Sequence, residues 1–259
     1  MGGVPAWMSL WSLGSDLSPA DFRAIHALGF EGVEVWAEHG GSDKHLQWAV
    51  EAGLAVGLHL PFHDLNLATP DPVVADHVMH VQLGWLARLA AVGGRHAVLH
   101  GGYAWAAEDR RGAVERATER LRELGQLANR QGVRLLLENL CPDKLGYTHW
   151  VASTMDEWLD LLKATGASAC LDIGHLAVMG TELSLALKQL GSRLQSIHYA
   201  DNRREADEHL WPGDGSGITR GVWDTVDRMG YEGPVIYEIN PYIYLREDLL
   251  GRIKQGLKQ

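Results

Sequence analysis

The chain has 259 residues, 46% of them hydrophobic, which is enough to bury a large core and matches one αβ barrel or two smaller domains. The formal net charge of −10 suits small-molecule substrates and argues against nucleic acid, whose phosphates are met by a basic surface. Two cysteines, Cys141 and Cys170, form no disulfide framework, no apolar run of about eighteen residues offers a membrane span, and Met1 to Leu13 lacks a basic start and a cleavage site, so a cytoplasmic protein without a membrane partner is expected.

Short apolar runs alternate with longer helical stretches. Ala6–Ser9 is expected as the first strand. Ser18-Pro19-Ala20-Asp21 opens a helix, with Ser18 as N-cap, Pro19 at the first helical position and Gly29 as the stop. Gly32–Trp36 reads as the second strand, Ser42 to Gly53 as a helix and Ala55–Leu60 as the third strand. Asp71–Val92 is a long helix closed by Gly93-Gly94, and Ala97–His100 is the fourth strand. Arg111–Gln131 has charges on one face and Leu121, Leu124, Leu127 and Ala128 on the other, with Gly132 at its end. Val133–Glu138 is the fifth strand. Thr154-x-x-Glu157 is a capping box for a helix that stops near Gly166. Ala169–Asp172, Leu194–Tyr199 and Pro234–Ile239 are the last three strands, and Leu183–Leu190, Thr219–Met229 and Arg246–Lys258 the helices that follow them. Such alternation implies parallel pairing through helical crossovers. Eight units point to a single (β/α)8 TIM barrel over residues 1–259, with an open doubly wound sheet as the alternative. Arg110-Arg111 and Arg116 to Arg122 are interspersed with acids and read as solvated surface.

The chemistry sits at strand ends. His59 closes the third strand, His100 the fourth, Glu138 the fifth and Asp172 the sixth, while His198 and Glu238 lie late in the seventh and eighth. In a parallel barrel these ends meet on one face. Buried charges cost free energy unless they are paired or metal-bound, so the succession points to a divalent metal site. Mixed imidazole and carboxylate donors suit zinc, manganese, iron or cobalt and need no thiolate; Cys141 and Cys170 read as small buried residues. A second set lies in loops. His175 follows Asp172 by three residues and enters the same mouth, and Asp207 and His209 follow the seventh strand. His175, Asp207 and His209 either bind a further metal or contact substrate. Gly213-Asp-Gly-Ser-Gly217 suits a plain turn or a phosphate nest before the helix at Thr219.

These residues, in this order, resemble the xylose-isomerase-like barrel superfamily, also described as apurinic endonuclease family two. It includes sugar isomerases and epimerases, inosose dehydratases and the endonuclease-four type of apurinic endonuclease. The resemblance is carried by His59-Leu-Pro-Phe-His-Asp-Leu-Asn66-Leu, Leu99-His-Gly-Gly102, Leu137-Glu-Asn139, Cys170-Leu-Asp-Ile-Gly-His175, Ile197-His-Tyr-Ala-Asp201 and Tyr237-Glu-Ile239. It implies a core metal site of Glu138, Asp172, His198 and Glu238, holding zinc, manganese, cobalt, iron or magnesium. The three-metal endonucleases also use positions matching His59, His100, His175, Asp207 and His209. The chain departs from those endonucleases in a shorter stretch from His198 to His209 and in having Glu208 where an arginine is expected.

The expected activity is therefore that of a divalent-metal-dependent sugar or sugar-phosphate isomerase or epimerase working by proton transfer through an enediolate. Glu138 and Glu238 are the expected proton-transfer groups. His175 and Arg204 are expected to hold substrate, with Arg203 as an alternative to Arg204. Trp11, Trp36, Trp105 and Trp211 fall in strand-to-helix loops, where flat rings suit a sugar face or ordinary packing. Two alternatives stay open: a multinuclear-zinc phosphodiesterase of the apurinic endonuclease type, and a non-catalytic sugar- or metal-binding barrel.

Overall fold

The computed structural model describes residues 4–216 and 220–255. Its strands are β1 (Ala6–Ser9), β2 (Gly32–Trp36), β3 (Ala55–His59), β4 (His96–Leu99), β5 (Tyr103–Trp105), β6 (Arg134–Glu138), β7 (Thr148–Trp150), β8 (Ser168–Asp172), β9 (Leu194–Tyr199) and β10 (Val235–Tyr237). All except β5 and β7 pair in parallel and close in the order β1-β10-β9-β8-β6-β4-β3-β2. The chain is a (β/α)8 TIM barrel, and the open-sheet alternative is excluded by the pairing of β1 with β10, Ala6 opposite Val235. Ser12 fastens that seam: its hydroxyl accepts from the Ile239 amide at 2.7 Å.

The helices are α1 (Pro19–Ala27), α2 (Ser42–Glu51), α3 (Pro72–Ala91), α4 (Arg110–Arg130), α5 (Met155–Thr165), α6 (Ile173–Met179), α7 (Leu183–Leu190), α8 (Val222–Arg228) and α9 (Arg246–Gln255). Local chemistry accounts for their ends. Asp71 caps α3 by accepting from the Val73 and Val74 amides at 2.8 and 3.1 Å, and Gly166 ends α5 in the left-handed region. In α4, Leu121, Leu124 and Ala128 are fully buried against the barrel.

Three features depart from the expected elements. The Thr154 cap is half a capping box, because Glu157 turns its carboxylate to the Ala152 amide and His149 rather than to Thr154. The loops after β4 and β6 are not plain loops: β5 and β7 pair as an antiparallel ribbon with Ala104 opposite His149. Asp172 ends β8 and also caps α6, a short helix that carries His175. Of the expected helix Thr219–Met229, Val222–Arg228 is helical and Thr219 lies outside the described residues, as does the end of Arg246–Lys258. Among the described residues, no helix is long and apolar enough to cross a membrane.

Side chains alternate along each strand, so every second residue faces the barrel axis. The N-terminal floor holds Trp7 of β1 stacked on His96 of β4, ring centroids 5.3 Å apart. Space for this stack comes from the neighbouring strands, which present glycine. A Cβ at Gly32 would lie 2.3 Å from the Trp7 ring, and one at Gly57 would lie 2.6 Å from His96 Nε2. Gly32→Ala is expected to lower stability by about 1–3 kcal/mol through overpacking, read as a lower urea midpoint with an unchanged slope.

Candidate metal centre

The strand register brings the C-terminal residues to one mouth. Glu138, Asp172, His198 and Glu238, from β6, β8, β9 and the residue after β10, each offer a donor atom, and these atoms lie within 4.8 Å of one another. All four residues are buried. Asp172 has two distinct oxygens. Oδ1 accepts from the His175 amide at 2.6 Å, and Oδ2 is buried without a hydrogen-bond partner. An acceptor left bare costs about 1–3 kcal/mol unless something positive meets it. A cation in the quartet satisfies that atom, so the residues fit a divalent ion.

Four histidines surround the same carboxylate. Glu138 Oε2 lies 3.3 Å from His59 Nε2 and 3.3 Å from His100 Nε2, and Oε1 lies 3.2 Å from His198 Nδ1 and 3.5 Å from His175 Nδ1. Three rings at this mouth are held through Nδ1. His59 Nδ1 donates to the Leu60 carbonyl at 3.0 Å, His175 Nδ1 to the Asn139 carbonyl at 2.7 Å and His209 Nδ1 to the Glu238 carbonyl at 3.0 Å. A proton fixed on Nδ1 leaves Nε2 as the free ligand atom. In all three rings Nε2 then faces a carboxylate: Glu138 for His59, and Asp207 for both His175, at 3.1 Å, and His209, at 3.0 Å.

The electrostatics follow from this crowding. Burial would raise the Glu138 carboxyl, but His198, His100 and His59 hold it well below the usual range. Glu238 is lowered against the same burial, chiefly by His198. Burial lifts Asp172, whose free oxygen meets no such partner. Burial also opposes charge on His209, but Asp207 outweighs it and raises the imidazole to about 10. Cys170, beside His198, is pushed up to about 12 by burial and stays a neutral thiol.

Above the quartet opens a cavity of about 430 Å³ walled by Trp11, Trp36, Phe62, Leu140 and Trp150. His59, His100, His175, Asp207 and His209 line it too. Trp11 stands edge-on to His209, centroids 5.0 Å apart, and Trp36 lies 4.4 Å from His59. Other expected substrate contacts are elsewhere. Arg204 is exposed and outside the lining, its φ of 66° turning the chain so that its carbonyl accepts from Lys144. Arg203 is ion-paired with Glu208. Trp105 is 54% exposed on the β5–β7 ribbon, where it borders a separate hollow, and Trp211 packs on Tyr237 at 5.7 Å.

Two buried polar residues of this centre lie outside the strand-end pattern. Glu34, in the middle of β2, accepts from His198 Nε2 at 3.0 Å and His96 Nε2 at 3.2 Å. Its signal in sequence is a single charge inside the apolar run Val33-Glu34-Val35. Asn139 splices β6 to β8, donating to the Asp172 carbonyl at 3.0 Å and accepting from the Asp172 amide at 2.8 Å.

A closed parallel barrel whose mouth gathers carboxylates and imidazoles from successive strands defines a class, and comparison with known proteins places the chain within it. Residues 22–258 match the family model described as xylose isomerase-like TIM barrel, and the chain belongs to that family. It is 28% identical over 178 residues to an uncharacterised protein of Methanocaldococcus jannaschii, covering 67% of this chain and 66% of that one. It is 25% identical over 210 residues to a D-psicose 3-epimerase of Ruminiclostridium cellulolyticum, covering 78% of this chain and 67% of that one. The chain thus spans about two thirds of the length of these relatives. The crystal structure of a D-tagatose 3-epimerase-like protein superposes with a TM-score of 0.82 at 19% identity, covering 97% of this chain and 95% of that one, and shares the fold.

The glycine-rich loop after β9 does not offer its described amides to a ligand. Asp201 fills it from within: Oδ2 accepts from the Gly213 and Gly215 amides at 3.0 and 3.3 Å, and Oδ1 from the Asn202 amide at 2.8 Å. Gly217 and Thr219 lie outside the described residues. Asp201→Ala is expected to cost about 1–3 kcal/mol by leaving these donors unmet, and to speed amide hydrogen exchange across residues 202–216, read by mass spectrometry.

Proposed function

We propose that the protein is a divalent-metal-dependent epimerase or isomerase of a small, uncharged sugar, with the ion held by Glu138, Asp172, His198 and Glu238. The observation that supports this reading is the convergence of those four residues, one of which, Asp172, keeps a bare oxygen, at the base of an aromatic-walled mouth. Three carboxylates and one imidazole suit manganese, cobalt, zinc, iron or magnesium. Such an ion, when bound, supplies Lewis-acid stabilisation of the negative charge that develops on a sugar carbonyl oxygen. Glu138 and Glu238 remove a proton from the carbon beside that carbonyl and return one to its opposite face, through an enediolate. His59 and His100 orient hydroxyls, and Trp11 and Trp36 offer flat apolar faces to the ring or chain. The similarity to a D-psicose 3-epimerase agrees with this chemistry.

The preference for an uncharged sugar rests on charge. The cavity lining contains no lysine or arginine among the described residues, and its ionisable groups are acids, histidines and the thiol of Cys141. Arg203 and Lys144 are engaged with Glu208 and Glu205, and Asp201 occupies the loop amides that a phosphate would need. A phosphate at this mouth would meet carboxylates without a paired cation of its own. The same absence disfavours duplex DNA, which presents a charge about every 1.7 Å along its axis.

A second reading, a multinuclear phosphodiesterase, is favoured by one observation. Further donor groups adjoin the quartet, and two of them, His59-His100-Glu138 and Cys141-His175-Asp207, reach beyond it into the mouth. Metal analysis separates the two readings. Chelator-stripped protein titrated with Mn²⁺ is expected to bind one ion per chain and to show a melting temperature that rises with ion concentration. Three ions per chain with cleavage of an abasic-site duplex would establish the second reading instead. Turnover is tested on unphosphorylated ketoses by following epimer formation and solvent deuterium uptake. At saturating Mn²⁺, Glu138→Gln and Glu238→Gln are each expected to lower kcat by about 10²–10⁴-fold; unchanged kcat in both would remove their proton-transfer role.

A further inference from the structure

Among the mouth histidines, His198 is held the other way round. His59, His175 and His209 each place Nδ1 on a backbone carbonyl and present Nε2. His198 presents Nδ1, 2.8 Å from Glu238 and 3.2 Å from Glu138, and its Nε2 points down the barrel axis. Strand carbonyls are taken up by the ladder, so an inward-facing ring nitrogen at this depth is met by a side chain. Its partner is Glu34 Oε1, at 3.0 Å.

We infer that Glu34 is the positioning residue of the centre: its carboxylate holds the Nε2 proton of His198 and so turns Nδ1 toward Glu138 and Glu238, while the Trp7–His96 stack holds Glu34. The geometry is built from both sides. Glu34 is fully buried, which a carboxylate tolerates only with donors on its oxygens. Oε1 takes the His198 proton, and Oε2 takes the His96 proton at 3.2 Å. His96 is fixed in turn by its near-parallel stack on Trp7, at 21° between planes. Gly32 and Gly57 leave the room that this stack fills. A chain Trp7–His96–Glu34–His198 therefore runs from the barrel floor to the donor quartet. In the metal-free protein both ring nitrogens face carboxylates, so Nε2 donates to Glu34 and Nδ1 to Glu238 and Glu138. Because Glu34 holds the Nε2 proton, the Nδ1 proton is the one a cation would displace, and Nδ1 would then offer its lone pair to the quartet. Without Glu34 a single remaining proton can stay on Nδ1, bonded to Glu238, which blocks that nitrogen as a ligand.

The orientation of His198 stands on these distances alone; the consequence for an ion rests on the quartet being a metal site. Both are measured on the full chain labelled with ¹⁵N-histidine. In metal-free protein, a long-range ¹H–¹⁵N spectrum should show a slowly exchanging Nε2 proton on His198, assigned by its loss in His198→Gln. Glu34→Gln should shift that proton and speed its exchange, because the amide offers a weaker acceptor. An unchanged resonance would overturn the inference. By calorimetry, Glu34→Gln should raise the Kd for Mn²⁺ by about 10–100-fold, and an unchanged Kd would also overturn it. Absence of Mn²⁺ binding by the wild-type chain would instead sink the metal reading, with the imidazole proton still deciding the orientation. If Glu34→Gln fails to fold, His96→Ala leaves Glu34 and His198 in place. It should produce the same two changes at smaller size, and if neither change appears the inference is overturned.

Discussion

Four carboxylates on the inner side of the barrel, Glu34, Glu138, Asp172 and Glu238, are at most 3% exposed, and the rest of the structure answers to that burial. An ionised carboxylate taken out of water costs several kcal/mol unless hydrogen-bond donors or cations surround it. The histidines meet that demand. Three of them reach Glu138 at 3.2–3.3 Å, and one side chain, His198, touches Glu34, Glu138 and Glu238 together. Among the described residues, nothing meets the buried Asp172 Oδ2, and at its position the protein's own donors run out.

The barrel separates this polar column from its apolar shell by strand alternation. Residues facing the helices, such as Val33, Leu58, Leu137, Leu171 and Ile197, join one continuous hydrophobic core. Inward residues form a different stack: aromatic and imidazole at the floor, a small apolar patch of Val98, Leu136 and Cys170 in the middle, and donors at the mouth. Small residues matter as much as charged ones here. Two floor glycines admit the Trp7–His96 pair, and that pair reaches Glu34 from below.

The fold was legible because each barrel strand is a short apolar run bounded by glycine or a capping residue, and the observed strand ends fall within one or two residues of the expected ones. His59, Glu138 and Asp172 were legible as candidates because a charge ends an apolar run there. Glu34 was not, since a mid-strand acid between two valines looks like an ordinary outward residue until the sheet closes and its neighbours are known. The β5–β7 ribbon was also hidden. Its strands are three residues long and contain no turn signature, since their pairing partners lie on different sides of α4 and β6. Arg204 and Trp105 were attractive by chain position, but the loops that carry them turn outward, and loop direction is set by backbone dihedrals and long-range contacts that periodicity does not encode.

The seam between β1 and β10 has a kinetic meaning. Ser12 bonds Ile239 across 227 positions of sequence, and Glu34 bonds His198 across 164. Contacts of such separation are reached only after long loops have closed, which places them late in folding and makes high-contact-order chains slow to fold. The polar column therefore has no partial version: half a barrel contains some of its acids but none of its closure. Until the last strand docks, these acids remain hydrated and repel one another. The centre is thus complete only in the closed barrel, and a ligand that needs all of these acids together binds the native state and stabilises it by mass action.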